Sequence, residues 1–298
     1  MRHAILGAGG VGGLIGIALA TAGEAVTMVV RPGTLKDYPR EVSLQNSQGT
    51  FTAPVEAAEA ITKPYDVLWI AVKATQLEAS LRSVAVKPEE LGAVVPLLNG
   101  IDHVALLRAR FGQDRVVPAA IRVETERVAP GKFLVGSMAV RLNVSAIGES
   151  RLGSTLEQLR KFGIKCQFDA DEKKLLWSKL VVLAPLALTT TASGLTVGEV
   201  CRAAEWRPRL DGAAREACAA STAAGTPFDA NEIIAIFDKV PPDTRSSMQK
   251  DVAAGNPPEL DAIAGPIMRA AQEHGFGALV TRELVEMIRG KSTASNQS

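Results

Sequence analysis

The segment from Gly7 to Gly12 has the residue types and the spacing of a phosphate-binding loop. Its glycines fit the pattern G-x-G-x-x-G, with Gly7, Gly9 and Gly12 at the three fixed positions. Gly7 permits a tight turn out of a strand, Gly9 leaves room for a pyrophosphate against the backbone, and Gly12 lets the next helix lie close to the sheet. Gly10 and Val11 open that helix, whose free N–H groups point towards the phosphate. The motif therefore predicts a loop that binds a dinucleotide.

Arg31 follows the next apolar run, Ala25 to Val30, and bears on which dinucleotide would bind. An acidic residue at this strand end binds the ribose 2′-hydroxyl of NAD, whereas an arginine suits the 2′-phosphate of NADP. Arg31 therefore predicts a preference for NADPH over NADH. A solvated arginine at a strand end is the alternative interpretation.

Two further polar residues follow predicted strands. Lys73 comes directly after the apolar run Asp66 to Val72, and Asn99 follows the run Ala93 to Leu98. Either side chain taken alone is explained as a polar residue at the exit of a strand. Ligands of open parallel sheets bind at the carboxyl ends of the strands. The glycine loop, Arg31, Lys73 and Asn99 together therefore predict a binding site at one edge of a sheet.

The second half of the chain offers candidates for acid–base chemistry. Lys179 lies in an apolar helical run that continues to Leu188. A lysine in such a run either extends to solvent or, if buried, serves as a general acid. The segment Arg245 to Asp251 is typical of a capped helix start, and Glu259 fits a first-turn charge favoured by a helix dipole.

These residues need strands and helices to position them, and the N-terminal segment predicts a strand, a loop, a helix and a second strand. Residues 4–23 contain no charged residue, so a signal peptide or a membrane span is the rival interpretation. Glycines at turn spacing and the β-rich run that follows argue against that rival.

The rest of the first half continues the alternation of strands and helices, so a β-α-β order is predicted throughout. The predicted elements are, in order, irregular loop with minor strands (32–60), two helices (75–84 and 102–111), a strand (115–122), a hairpin closing the far side of the sheet (131–144), a helix (156–162) and a last strand (165–168).

Beyond residue 168 the chain is rich in alanine and its patterns are helical. Helices are predicted over 171–191 with a kink at Pro185, and over 197–224, 231–237 and 259–274. The predicted fold class is an α/β N-terminal Rossmann-like dinucleotide-binding domain (residues 1–168) plus a mostly α-helical C-terminal domain (residues 169–298) for substrate and catalysis.

The composition excludes several other classes of protein. A chain of 298 residues is long enough for about two domains. A net charge of +1 and 4% aromatic residues give no reason to expect nucleic acid or a membrane as a partner. The three cysteines and three histidines are scattered, so we expect no metal site and reduced thiols in a cytoplasmic protein. Acid–base chemistry then has to come from Lys, Glu or Asp.

Taken in order, these residues resemble the ketopantoate reductases (2-dehydropantoate 2-reductases) over nearly the whole chain. The resemblance rests on the glycine loop with Arg31, on Val72–Gln76, Leu98–Gly100 and Trp177–Leu180, and on Ser246–Met248 with Asp251, Glu259 and Gly265. It implies NADPH-dependent reduction of a 2-keto acid to a 2-hydroxy acid, as in the conversion of ketopantoate to pantoate in pantothenate biosynthesis. A homodimer is left open.

The resemblance also implies roles for individual residues. Arg31 and Lys73 would hold the phosphate end of NADPH, and Asn99 would lie between cofactor and substrate. Lys179 would be the general acid that protonates the carbonyl oxygen. Glu259 would bind the substrate hydroxyl and orient the site, and Ser247 would bind the substrate carboxylate.

The chain departs from the family pattern at the substrate. Family members usually carry asparagines one and two helical turns after the catalytic lysine, and here those positions are Leu183 and Ala187. A site that hydrogen-bonds a substrate hydroxyl discriminates strongly against analogues that lack it. A more hydrophobic 2-keto acid is therefore an alternative substrate.

Two alternative functions stay open. Another two-domain dehydrogenase, such as a β-hydroxyacid oxidiser, would share the glycine loop and the lysine but not this arrangement of Ser247 and Glu259. A non-catalytic NADP-binding regulator would need neither Lys179 nor Glu259.

Overall fold

The structure is a computed structural model that describes residues 1–136 and 139–295. The chain divides into two compact units. The first comprises Met1–Leu98 and His103–Leu175, and the second comprises Asn99–Asp102 and the chain from Leu176 onward. The segment Asn99–Asp102 thus follows a strand of the first unit but belongs with the second.

All strands of the described residues lie in the first unit. They are β1 (Arg2–Leu6), β2 (Ala25–Val29), β3 (Glu41–Asn46), β4 (Gly49–Pro54), β5 (Glu56–Ala58), β6 (Tyr65–Ile70), β7 (Leu91–Pro96), β8 (Ala119–Arg122), β9 (Thr125–Ala129), β10 (Lys132–Val135), β11 (Arg141–Ser145) and β12 (Lys165–Asp169). Within the described residues, a parallel five-stranded sheet has the order β5-β2-β1-β6-β7. Leu6 pairs with both Val29 and Ile70, so the carboxyl ends of β1, β2 and β6 meet at one edge.

Helices cover both faces of this sheet. Alternate residues of its buried strands point to opposite faces and therefore belong to two different hydrophobic cores. The helices are α1 (Gly10–Thr21), α2 (Leu77–Leu81), α3 (His103–Phe111) and α4 (Glu149–Lys161). Ile5 and Trp69 belong to the core that also holds residues of α1 and α4, whereas Ala4 and Leu68 belong to the core that holds residues of α2 and α3. This arrangement confirms the predicted Rossmann-like fold.

Two smaller sheets make up the rest of this unit, and they differ from the elements that the sequence predicts there. Within the described residues they have the orders β4-β3-β10-β9 and β12-β11-β8. The irregular loop with minor strands predicted over 32–60 is partly wrong, because β3 and β4 are regular six-residue antiparallel strands that interrupt the predicted β-α-β order. The hairpin predicted over 131–144 is also wrong, because β10 and β11 lie in different sheets; Ser137 and Met138 lie outside the described residues. Alternating apolar residues identify strands but not their partners.

The regular elements described from residue 172 to residue 295 are helices. They are α5 (Glu172–Ser193), α6 (Val197–Arg202), α7 (Arg207–Ala223), α8 (Ala230–Phe237), α9 (Ser247–Ala253), α10 (Leu260–His274) and α11 (Leu279–Ser295). They enclose one apolar core with contributions from residues such as Leu188, Leu210, Ile263 and Leu284.

The prediction of one helix over 197–224 is wrong, because the chain breaks between α6 and α7. Pro208 lies in the first turn of α7, where backbone N–H groups make no hydrogen bond within the helix, so the N–H that proline lacks is not needed. By contrast, α5 continues as one helix through Pro185.

The membrane interpretation of the N-terminal segment finds no support. Helix α1 has 12 residues and buries Leu14 to Leu19, whereas a span needs about 20 residues. Helix α5 is long and apolar enough to cross a membrane by length and composition, but 67% of its apolar window is buried inside the protein, as in the core helix of a soluble protein.

Candidate active site

The glycine loop lies between β1 and α1, at the carboxyl edge of the parallel sheet. Gly7 has a φ of +107°, and a Cβ there would lie 2.8 Å from the carbonyl group of Ala71. A Cβ on Gly12 would lie 2.0 Å from the carbonyl oxygen of Gly7, so the first turn of α1 contacts the loop backbone. A Cβ on Gly9 would meet no described atom within 4 Å, which leaves open space at the start of α1. The loop therefore has the tight turn, close helix packing and free space that a pyrophosphate needs.

Strands β9 and β10 lie against the same end of α1, which the sequence patterns did not predict. A Cβ on Gly10 would lie 2.9 Å from Cγ2 of Thr125, and one on Gly13 would lie 2.3 Å from the ring of Phe133. Gly13 lies outside the three fixed positions of the motif. An extra glycine there signals a close approach to α1, but it does not identify what approaches.

Arg31 and Lys73 follow the two strands that flank β1. Arg31 is exposed, and its carbonyl oxygen accepts a 2.7 Å hydrogen bond from Oγ1 of Thr34. In the same turn the N–H of Gly33 donates to Oε1 of Glu59 at 2.6 Å. Lys73 is half-buried and precedes the short 3-10 turn Ala74–Gln76. Both cations thus follow neighbours of the strand that leads into the glycine loop.

Asn99 and Glu259 form a hydrogen bond within the second unit. Nδ2 of Asn99 donates to Oε2 of Glu259 at 3.1 Å. Glu259 is 5% exposed and is the N-cap residue of α10. A buried carboxylate is costly unless it is hydrogen-bonded, and a helix N-terminus favours a negative charge. Both features suit a carboxylate held in one orientation.

The segment around Asn99 contacts the first turns of α10 through its backbone as well. Gly100 has a φ of +80°, and a Cβ there would lie 2.3 Å from the carbonyl oxygen of Ala262. Asp102 accepts a hydrogen bond from the guanidinium of Arg269, further along α10. Only glycine allows this approach, so Gly100 is the residue that lets Asn99 reach Glu259.

Helix α5 presents Lys179, Leu183 and Ala187 at intervals of four residues, so the three share one face. Lys179 and Leu183 are half-buried, and Ala187 is 1% exposed. This face therefore combines one ammonium group with two apolar side chains.

The N-terminus of α9 contacts α5 one turn beyond Ala187. Oγ1 of Thr190 and Oγ of Ser246 are hydrogen-bonded at 2.9 Å, and Ser246 also accepts from the N–H of Gln249 at 3.1 Å. The capped helix start predicted for this segment is therefore confirmed. Ser247, the first residue of α9, is exposed. The sequence reasoning missed Thr190, although its position three residues after Ala187 on an apolar helix was a signal.

The three thiols have the character of small core side chains rather than nucleophiles. Burial raises the pKa of Cys166 and of Cys218 to about 11, and it also raises the pKa of Cys201. All are unpaired. In the described residues no group of three or more His, Cys, Asp or Glu side chains is arranged to hold a metal ion.

Comparisons with known proteins cover both units. The family model described as ketopantoate reductase PanE/ApbA matches residues 3–148, and its C-terminal counterpart matches residues 171–292. The 2-dehydropantoate 2-reductase of Archaeoglobus fulgidus is 27% identical in an alignment of 298 positions that covers 97% of each chain. The enzyme of the same name from Mycobacterium tuberculosis is 29% identical over 274 residues, covering 89% of this chain and 82% of the relative.

Solved structures have the same fold. A ternary complex of D-mandelate dehydrogenase with NADH and anilino(oxo)acetate matches with a TM-score of 0.88 at 19% identity, covering 99% of this chain and 100% of that one. A PanE/ApbA family ketopantoate reductase from Ralstonia eutropha matches with a TM-score of 0.88 at 23% identity and the same coverage. The fold and the family matches define an oxidoreductase with a Rossmann-like unit and a helical unit. The chain belongs to the ketopantoate reductase family.

Proposed function

We propose that this protein reduces a 2-keto acid to a 2-hydroxy acid with NADPH. The substrate is ketopantoate, in pantothenate biosynthesis, or a more hydrophobic analogue. The observation that carries the proposal is that the two ketopantoate reductase family models match residues 3–148 and 171–292, which include both the glycine loop and Glu259.

The glycine loop is suited to the pyrophosphate of NADPH. The space beside Gly9 faces the start of α1, where free N–H groups favour an anion. Arg31 suits the 2′-phosphate, and Lys73 would add a second positive charge from the other flanking strand. Bound NADPH supplies the hydride that reduces the carbonyl carbon.

Lys179 is the proposed general acid. As the carbonyl carbon is reduced, negative charge develops on its oxygen, and an ammonium group beside that oxygen stabilises the charge and donates a proton from Nζ. The carboxylate of Glu259, oriented by Asn99, would accept a hydrogen bond from a substrate hydroxyl. The hydroxyl of Ser247 would donate to the substrate carboxylate.

The apolar residues on α5 support a hydrophobic substrate. Leu183 and Ala187 offer no hydrogen bond to a hydroxyl, and they follow Lys179 on its own face. The same fold in D-mandelate dehydrogenase is found with anilino(oxo)acetate, a 2-oxo acid derivative with an aromatic group. A branched or aromatic 2-keto acid is therefore the proposed alternative to ketopantoate.

Steady-state NADPH oxidation with a panel of keto acids tests the proposal. We expect turnover with ketopantoate or with a branched or aromatic 2-keto acid. NADPH binding without turnover of any of them would favour the regulator instead. Oxidation of 3-hydroxy acids in the absence of 2-keto acid reduction would favour a β-hydroxyacid dehydrogenase.

The Lys179→Ala variant tests the proposed chemistry. Loss of a positioned general acid lowers kcat by about 10² or more. Lys173→Ala is the matched control, because Lys173 is exposed on the same helix. Turnover near the wild-type value in Lys179→Ala would remove Lys179 from the mechanism.

A further inference from the structure

A row of basic residues crosses the sheet β12-β11-β8. Arg141 on β11 pairs in register with Arg122 on β8 and with Lys165 on β12. Neighbouring strands lie about 4.8 Å apart, so three cations stand side by side across about 10 Å. None of the three belongs to the predicted cofactor or substrate residues.

This row is unfavourable for the protein alone. Like charges directly opposite each other on neighbouring strands destabilise a sheet. Arg122 is half-buried; its burial, and next the charge of Arg141, lower the pKa of its guanidinium. Among the described residues, Arg141 and Lys165 have no ion pair with a carboxylate. Asp169, at the other end of β12, is four residues from Lys165, about 13 Å along the strand.

The same residues line an open cleft of about 430 Å³. Arg160 adds a fourth basic side chain, which pairs with Glu157 at 3.3 Å and whose Nε donates to the carbonyl oxygen of Cys166 at 3.1 Å. The next register pair, Asn143 and Gln167, adds two amide side chains that donate hydrogen bonds. The described residues that line the cleft include no acidic side chain.

We propose that this cleft binds a small multivalent anion that carries phosphate groups. Arginine forks match phosphate oxygens in pairs of hydrogen bonds, and lysine adds a point charge. Two linked phosphates span the row better than a single charge does, and the amides of Asn143 and Gln167 donate to the remaining oxygens. A bound anion removes the repulsion between the three cations, so ligand binding and stability of this sheet are coupled.

Calorimetric titration with pyrophosphate tests the proposal on the full-length protein. We compare wild type with Arg141→Gln and Lys165→Gln, and with Lys239→Gln as the control, because Lys239 is exposed and the change removes the same charge. We expect at least tenfold weaker binding in the first two variants and wild-type binding in the control. Equal affinity in all four proteins would overturn the proposal.

Two further arms distinguish binding in this cleft from binding at the glycine loop and from binding of any anion. Gly9→Asp places a carboxylate in the open space of the glycine loop. If Gly9→Asp abolishes pyrophosphate binding while Arg141→Gln does not, the anion binds at the glycine loop and the proposal fails. Citrate serves as a carboxylate probe of comparable charge, and tighter binding of citrate than of pyrophosphate would overturn the assignment to phosphate.

The stability of the protein without ligand tests the charged row itself. The unfolding midpoints of Arg141→Gln and Lys165→Gln should equal or exceed that of wild type, because repulsion between the cations is relieved. Lower midpoints in these variants would contradict the argument from the charged row.

Discussion

The amide of Asn99 donates a 3.1 Å hydrogen bond to the carboxylate of Glu259, across 160 residues of sequence. Both residues belong to the second unit: Asn99 follows β7 along the chain, and Glu259 is the N-cap of α10. Gly100 permits this approach, because any side chain there would collide with the backbone of α10. The proposed substrate-binding carboxylate is therefore oriented by a residue from the other half of the sequence.

The first prediction is that Asn99 and Glu259 act as a pair. A hydrogen bond to a charged group contributes about 1.5–3 kcal/mol, so Asn99→Ala should lower kcat/KM for the keto acid by about 10- to 100-fold. Because the carboxylate acts only when Asn99 orients it, the fold-decrease in kcat/KM in the double variant with Glu259→Ala should be smaller than the product of the two single fold-decreases. Steady-state kinetics of the four proteins measure this coupling.

The control for this cycle is Asn256→Ala, because Asn256 is exposed and the same side chain is removed. It should retain wild-type kcat/KM. Strictly multiplicative effects of Asn99→Ala and Glu259→Ala would contradict the pairing.

The second prediction concerns cofactor choice. Arg31→Ala should raise the KM for NADPH at least tenfold and leave the KM for NADH nearly unchanged, because only NADPH has the 2′-phosphate that an arginine at this strand end suits. Lys36→Ala is the control, since Lys36 is an exposed cation in the next turn. A wild-type enzyme with equal kcat/KM for both cofactors, unchanged in Arg31→Ala, would show that Arg31 is only a solvated side chain.

The elements whose chemistry is local could be predicted from the sequence. The spacing of Gly7, Gly9 and Gly12 is itself the requirement of a tight turn and a close helix, so loop, strand and helix follow from it. The strand β6 was equally clear, because an apolar run of that length suits a strand buried on both faces.

The parts that depend on distant partners could not be predicted. Nothing in the pattern around Asn99 identifies Glu259 as its partner, and nothing around Thr190 identifies Ser246. Strand β10 was predicted to pair with the following strand, yet it pairs with β3 and β9, because alternation leaves the partner undefined. The start of α7 differs from these cases, because Pro208 is a local signal for the first turn of a helix.

The third prediction tests the apolar face of α5. Leu183→Asn should shift the ratio of kcat/KM towards ketopantoate and away from 3,3-dimethyl-2-oxobutyrate, which lacks its hydroxyl, by about tenfold or more, because a polar group gains a partner only with the hydroxylated substrate. Adding Ala187→Asn should extend the shift. Both ratios come from competition kinetics with the two keto acids.

Val182→Asn is the matched control, since Val182 is also half-buried and points about 100° away from Leu183 around the axis of α5. It should leave the ratio unchanged. The same ratio in wild type and Leu183→Asn would mean that position 183 does not face the substrate.

The fourth prediction is a loss of stability in mild acid that originates at His3. His3 is fully buried, and its Nδ1 accepts a 3.3 Å hydrogen bond from Nε1 of Trp69, so the neutral ring carries its proton on Nε2, 3.8 Å from Oε2 of Glu24. Burial lowers the pKa of His3 from 6.5 to about 4, against the opposing charge of Glu24. The unfolded chain therefore binds a proton that the folded chain does not, so this stabilisation is complete above pH 6.5 and is lost as the pH falls towards 4. A pKa change of this size corresponds to about 3 kcal/mol.

In His3→Asn the amide oxygen still accepts from Trp69 but does not titrate. Urea unfolding should therefore show a smaller decrease in the free energy of unfolding between pH 7 and pH 4 in this variant than in wild type. Equal decreases in the two proteins would exclude His3 as the source of acid sensitivity.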